Sequence, residues 1–130
     1  MTTSLPLVAL IDDDLAVLQA VARLLRASGF EAATYRSAED FLTAPAAAPP
    51  VCLVLDLKLR GMSGLDLLRR LRALQSGLSI IVMTGSDDPR VREEVYRLGC
   101  AGYFPKQADA ELLVELIRSL TRGAWPRGTS

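Results

Sequence analysis

Three short stretches of this chain are almost wholly apolar and then stop on a polar residue. Leu7–Val8–Ala9–Leu10–Ile11 runs into Asp12–Asp13–Asp14, Val51–Cys52–Leu53–Val54–Leu55 into Asp56, and Ile80–Ile81–Val82–Met83 into Thr84. Each is too short for a helix of ordinary length and shows no alternation of apolar and polar residues. Continuous runs of this kind, rich in β-branched side chains and bounded by turn residues, read as strands buried on both faces. A strand is buried on both faces only if helices cover both sides of its sheet. That requirement narrows the folds open to the chain more than any other feature.

The intervening segments supply those helices. After Asp14, the residues Leu18, Val21, Ala22 and Leu25 recur at helical spacing, with Arg23 and Arg26 off that face and Gly29 as a stop. Glu31–Tyr35 is a weaker strand, and Ser37 with Asp40 has the spacing of a capping box ahead of Phe41 and Leu42. Ala44–Pro50 is a connector too short to be an interdomain linker. Ser63 and Asp66 repeat the capping-box spacing and open a helix with Leu67, Leu68, Leu71 and Leu74 inward and Arg69, Arg70 and Arg72 mostly outward. Asp88–Pro89 pairs an N-cap residue with a proline at the first helical position, and Val91, Val95 and Leu98 form the inner stripe up to Gly99. Ala101–Phe104 reads as a short strand ending before Pro105–Lys106. Asp109 opens a last helix with Leu112, Leu113, Leu116, Ile117 and Leu120 inward.

Strand and helix thus alternate five times. Alternation implies right-handed crossovers and a parallel sheet covered on both faces. The expected fold is α/β: one five-stranded parallel sheet in order 2-1-3-4-5, the doubly wound (βα)5 flavodoxin-like arrangement. Its ligand site lies at the switch point between the first and third strands.

Composition excludes several classes. The 15 basic and 15 acidic residues cancel, so no net field points to direct nucleic-acid binding. No apolar run approaches the ~20 residues needed to span a bilayer, and Met1–Ser4 has no signal-peptide character. A cytoplasmic protein without membrane contact is expected. Cys52 and Cys100 lie in apolar surroundings and read as small buried thiols rather than as a disulfide or zinc site. The chain has no His, so it lacks the commonest general base and metal ligand.

On the expected sheet Asp12, Asp13, Asp14, Asp56, Thr84 and Lys106 all fall at the C-terminal edge. Several carboxylates without His or Cys form a hard oxygen donor set, suited to Mg²⁺ that keeps some of its water. Without a cation they would repel one another. One Asp suffices to cap a helix, and Asp14 is the residue expected to serve only as that cap. Lys58 and Lys106 are the two lysines among otherwise all-Arg basic residues. A compact ammonium on a flexible stem suits a single charge held against a phosphoryl oxygen. An acid pair, a second carboxylate able to act as a nucleophile, a hydroxyl and a Lys together make a phosphoryl-transfer site.

At these residues the chain resembles the receiver domain of two-component response regulators. The resemblance rests on Ile11–Asp14, Leu53–Asp56, Gly61–Leu65, Ile81–Gly85 and Gly102–Lys106, which appear in family order and span about residues 5–121. It implies a receiver domain over residues 1–121, with 122–130 a polar C-terminal tail or the start of a linker. It further implies a signalling domain rather than an enzyme proper, at most capable of Mg²⁺-dependent self-phosphorylation and autodephosphorylation. Asp56 is the implied phospho-acceptor. Asp12, Asp13, Asp56 and the backbone carbonyl of Lys58 are the implied Mg²⁺ site. Thr84 would bond the phosphoryl group, Lys106 would pair with it, and Thr84 with Tyr103 would form the switch. The implied partners are a sensor histidine kinase or phosphotransfer protein and an output domain or protein engaged by the face of the fourth helix, fifth strand and fifth helix. A homodimer formed on phosphorylation is also implied.

The sequence departs from the family pattern at two places. Arg60 stands four residues after Asp56 where Pro is usual, and Gln107 follows Lys106 at another usual Pro, where the peptide bond is typically cis. Gly85 is expected to loosen the switching loop, and Lys58 and Ser86 occupy positions that in the family tune phosphate lifetime. Two rivals of other chemistry fail on the same residues. A flavin-binding protein needs a hydroxyl- and glycine-rich loop where this chain has three aspartates. A phosphatase of the haloacid dehalogenase type needs a second Asp where this chain has Lys58. The remaining alternative is a phosphorylation-independent interaction module of receiver shape.

Overall fold

The computed structural model describes residues 5–45, 49–74, 76–106 and 108–122. Its strands are β1 (Leu7–Ile11), β2 (Glu31–Tyr35), β3 (Cys52–Asp56), β4 (Ser79–Thr84) and β5 (Gly102–Pro105). Its helices are α1 (Leu15–Ala27), α2 (Ala38–Thr43), α3 (Gly64–Ala73), α4 (Pro89–Arg97) and α5 (Ala110–Arg122). The five strands form one parallel sheet in the order β2-β1-β3-β4-β5, as the alternation predicts. Of the expected tail over 122–130, Arg122 instead ends α5 and the rest lies outside the described residues, as do Gln107 and its peptide bond to Lys106.

The sheet divides two apolar cores, and side-chain alternation along each strand decides which residue serves which. Ala9, Ile11, Leu53, Leu55, Ile80 and Val82 face Ala38 of α2, Leu67, Leu68 and Leu71 of α3, and Val95 of α4. Val8, Leu10, Cys52, Val54 and Ile81 face Leu18, Ala22 and Leu25 of α1 and Leu113, Val114 and Ile117 of α5. Every residue of β3 is buried, as expected of a strand with neighbours and helices on all sides. Each fully buried Leu or Ile side chain contributes roughly 1.5–3 kcal/mol relative to exposure.

Helix starts follow the sequence signals. Asp14 caps α1 by accepting from the N–H groups of Ala16 and Val17, Ser37 caps α2 through Asp40 N, and Ser63 caps α3 through Asp66 N. Asp88 caps α4 ahead of Pro89, and Asp109 accepts from Glu111 N at the start of α5. Gly29 and Gly99 follow α1 and α4 with φ of 95° and 82°, a conformation open to glycine.

Four expectations need correction. Leu74 is 68% exposed, because α3 ends at Ala73 and its cap residue leaves the inner stripe. Leu112 is 51% exposed and Val114 takes its place in the core, because contact with the sheet selects the stripe through Leu113, Ile117 and Thr121. Arg72 does not extend into solvent. Its guanidinium folds back to donate to the carbonyls of Leu98 (2.8 Å), Ser76 (3.0 Å), Leu78 (3.1 Å) and Gly99 (3.3 Å), tying the end of α3 to the end of α4. Strand β5 extends to Pro105, which pairs with Thr84 instead of lying outside the strand. Proline is tolerated there because β5 is an edge strand, and Lys106 N resumes the ladder by donating to Thr84 O at 2.8 Å.

Candidate functional site

The C-terminal ends of β1 and β3 lie side by side, since Ile11 is in register with Leu55. Asp12 follows Ile11 directly and Asp56 is the last residue of β3, so both carboxylates emerge at the switch point where the strand order reverses. Each lies two residues beyond a side chain facing α1, Leu10 and Val54, and so points to the same side of the sheet.

Asp12 and Asp56 are 5% and 4% exposed, a costly placement for two anions. The polar contacts show how it is tolerated. Asp12 Oδ1 accepts from Asp14 N at 2.9 Å and Asp56 Oδ1 accepts from Lys58 N at 3.2 Å. The two remaining oxygens meet one ammonium: Lys106 Nζ lies 3.0 Å from Asp12 Oδ2 and 3.1 Å from Asp56 Oδ2. Asp13 joins them, and Asp12, Asp13 and Asp56 each offer a carboxylate oxygen within 4.8 Å of the others. Asp14 is turned away to its cap.

Burial pushes the Asp56 carboxyl above the ordinary carboxylate range. The hydrogen bond from Lys106 opposes this, the charge on Asp12 adds to it, and the net shift is upward. Burial draws the Lys106 ammonium down, but its hydrogen bonds to Asp12 and Asp56 outweigh that and hold it above the usual lysine value. Lys106 therefore serves as the internal counter-ion of a crowded acid pair.

Thr84 and Tyr103 sit beside this centre. Thr84 ends β4, is 2% exposed, and turns its hydroxyl into its own loop, donating to Ser86 O at 2.9 Å and accepting from Ser86 N at 3.1 Å. Tyr103 lies on β5 with its ring 6.3 Å from that of Tyr96 on α4. Its hydroxyl is buried and has no hydrogen-bond partner among the described residues, and that burial raises its pKa. Lys58 and Arg60 have exposed side chains, but the Lys58 backbone is fixed against Asp56 by the N–H contact already given.

Two residues shape the site through contacts that the sequence did not show. Gly64 opens α3 against the backbone of the acidic strand: a Cβ there would stand 2.1 Å from Asp56 O and 2.7 Å from Leu57 Cα. Gly64 falls within the Gly61–Leu65 stretch that carries the resemblance, and a glycine directly after an N-cap serine is the signal that could have shown its close approach to β3. Glu39 of α2 accepts a hydrogen bond from Met62 N at 3.0 Å, across 23 residues, and no local pattern announces such a contact.

Three hard oxygen donors beside a backbone segment, with no nitrogen or sulfur ligand, fit a divalent cation of the Mg²⁺ type. Acidic residues at a switch point, a Lys reaching over from beside the edge strand and a hydroxyl at the end of β4 thus share one edge of the sheet. The chain belongs to the response regulator receiver domain family, whose pattern matches residues 8–118. It is a receiver domain of the two-component type, and phosphorylation on Asp is that family's mechanism.

Particular relatives agree. The chain is 39% identical over 125 residues to the transcriptional regulatory protein FixJ of Azorhizobium caulinodans, covering 95% of this chain and 59% of that protein. It is 33% identical to FixJ of Bradyrhizobium diazoefficiens, covering 92% of this chain and 58% of that protein. The crystal structure of full-length FixJ from B. japonicum superposes with a TM-score of 0.84 at 33% identity, over 95% of this chain and 61% of that one. A CheY-like receiver domain protein from Methanospirillum hungatei gives a TM-score of 0.84 at 25% identity, over 93% and 98% of the two chains. The chain therefore spans less than two thirds of the FixJ regulators it matches. No helix among the described residues is long and apolar enough to cross a membrane.

Proposed function

We propose that this chain is the phospho-accepting receiver of a two-component regulator, with Asp56 as the acceptor. The observation that carries this is the convergence of Asp12, Asp13 and Asp56 within 4.8 Å under the single ammonium of Lys106. An Asp56 carboxylate oxygen attacks the phosphorus of a partner's phosphohistidine; the new O–P bond forms as the N–P bond breaks, and the electron pair returns to the imidazole. Asp12, Asp13, Asp56 and the Lys58 carbonyl would hold Mg²⁺, which when bound neutralises charge on the transferred group. Lys106, released from one carboxylate, pairs with a phosphoryl oxygen. Thr84 exchanges its bond to Ser86 for one to the phosphoryl group, and the Tyr103 hydroxyl gains a partner as the loop moves.

These movements bias the face of α4, β5 and α5, a bistable element read by an output domain, a partner protein or a second copy of this chain. The FixJ relatives are named transcriptional regulators, which supports a longer protein whose output acts on transcription, with this segment making no direct contact to nucleic acid. A cytoplasmic location accords with a donor histidine kinase.

The test is intact mass after incubation with Mg²⁺ and acetyl phosphate, with and without chelator. A Mg²⁺-dependent gain of one phosphoryl group, absent in Asp56→Asn, is the expected result. A folded, Mg²⁺-binding chain that gains no mass from acetyl phosphate or from a phosphohistidine donor would instead indicate a phosphorylation-independent interaction module.

A further inference from the structure

The loop joining β3 to α3 runs from Leu57 to Ser63 and carries the Lys58 peptide that contacts Asp56. Its near end is fixed by Lys58 N on Asp56 Oδ1 at 3.2 Å, and Gly64 N on Leu57 O at 2.9 Å ties the residue after the loop back to its start. Its far end turns at Gly61 with φ of 74°, and Arg60 just before it is exposed and imposes no restriction on φ. Leu59 and Met62 pack against the apolar core, and one polar side chain from elsewhere in the fold holds the backbone at Gly61–Met62. Glu39 on α2 accepts from Met62 N at 3.0 Å, and its carboxylate packs so closely on Gly61 that a Cβ there would stand 2.5 Å from Oε2 and 3.2 Å from Cδ. The Met62 bond draws the Glu39 carboxyl below its ordinary value, as a charge-assisted bond to a backbone N–H does.

We propose that Glu39 is a positioning residue for the phosphoryl-transfer site, holding the Gly61–Met62 end of the loop so that the Lys58 peptide stays oriented toward Asp56 and its cation. This rests on the assignment of Asp56 and the Lys58 carbonyl given above. A seven-residue loop with glycine at its tip and no proline loses considerable backbone entropy on ordering, and a fixed anchor reduces the range it samples. Freeing the tip leaves the carboxylates and the Lys58 N–H bond to Asp56 in place but loosens the Lys58–Leu59 peptide, which bears the Lys58 carbonyl, so the loss falls on cation affinity rather than on attack at phosphorus. Through the same contact α2 is mechanically joined to the acceptor loop.

The experiment follows acetyl phosphate labelling of the full chain by intact mass across a Mg²⁺ titration, for wild type, Glu39→Gln, Glu39→Ala and Gly61→Ala. Residues that orient metal ligands typically contribute about 10- to 100-fold to affinity, and this one acts a step further out, so about a three- to tenfold rise in half-saturating Mg²⁺ is expected for Glu39→Ala. The rate at saturating Mg²⁺ and the thermal midpoint should stay at wild-type values. Glu39→Gln, a weaker neutral acceptor, should fall between, and Gly61→Ala, which both collides with the Glu39 carboxylate and strains a backbone φ of 74°, should match or exceed Glu39→Ala in half-saturating Mg²⁺ while also lowering the thermal midpoint. A Mg²⁺ dependence that superimposes on wild type overturns the proposal, as does a lowered saturating rate accompanied by a lowered midpoint in Glu39→Ala. If wild type is not labelled, that failure belongs to the acceptor assignment. Mg²⁺ affinity read from the Lys58 amide resonance then decides about Glu39: weaker binding in Glu39→Ala supports it, and equal binding or none in wild type overturns it.

Discussion

Replacing Lys106 with methionine removes the one cation between two buried carboxylates while keeping most of the side-chain volume. Asp12 and Asp56 are 5% and 4% exposed, and their neighbouring oxygens lie within 4.8 Å. At an effective dielectric of about 20, two unit charges that far apart repel by about 3.5 kcal/mol, which Lys106 at about 3 Å from each currently more than offsets. The loss has a ceiling, because the variant can escape the repulsion by binding a proton. Neutralising one ordinary Asp costs about 4 kcal/mol at about pH 7 but only about 1.5 kcal/mol at about pH 5. The two routes converge on a destabilisation of about 3–4 kcal/mol near neutrality that shrinks by about half or more near pH 5.

The sign follows from linkage. Asp56 already has a folded-state pKa above its ordinary value, chiefly through burial, so the stability it lends is greatest below that ordinary value and falls as pH rises through the folded one. Lys106→Met moves the folded value further up and extends that decline toward neutrality. Urea unfolding followed by far-UV circular dichroism at both pH values reads the difference directly. In the same background Asp12→Asn should restore most of the loss. A deficit under about 1 kcal/mol at neutral pH, or one that is the same at both pH values, would refute the claim that Lys106 is the internal counter-ion.

Two further outcomes follow from contacts elsewhere. Gly64→Ala sets a Cβ 2.1 Å from the Asp56 carbonyl, where only backbone can yield, so a loss of about 3 kcal/mol in urea unfolding and a shifted Asp56 amide resonance are expected; a wild-type midpoint would show that α3 can start elsewhere. Arg72→Met removes donors to the Leu98, Ser76, Leu78 and Gly99 carbonyls, at an expected cost of about 1–3 kcal/mol and with faster amide exchange at the end of α4; unchanged exchange there would mean that apolar packing alone holds α4 to α3.

The sheet and its order were legible in the sequence because burial on both faces leaves an unbroken apolar run, and because the intervening helices announce themselves by period and by Asp14, Ser37, Ser63 and Asp88 at their starts. The edge that would carry the site was legible for the same reason, since strand ends fall where the runs stop. Which of two adjacent leucines faces inward was not. Leu112 and Leu113 are equivalent in pattern, and only the angle at which α5 meets the sheet puts Leu113 and Val114 in the core and Leu112 in water. Arg72 was read as a surface residue because its type is usually solvated; its carbonyl partners come from two helix ends that the sequence leaves far apart.

The site divides in the same way. The residue types and their places at the ends of β1, β3, β4 and β5 were fixed by the chain, and with them the hard-oxygen chemistry. That one Lys spans both Asp12 and Asp56, that Thr84 is turned into its own loop, and that Glu39 reaches Met62 across 23 residues are decided only when the strands pair and the helices settle. A sequence encodes chemistry locally, through the period and type of its residues. Distances of about 3 Å between side chains from separate elements follow from packing the whole chain, where each contact depends on all the others.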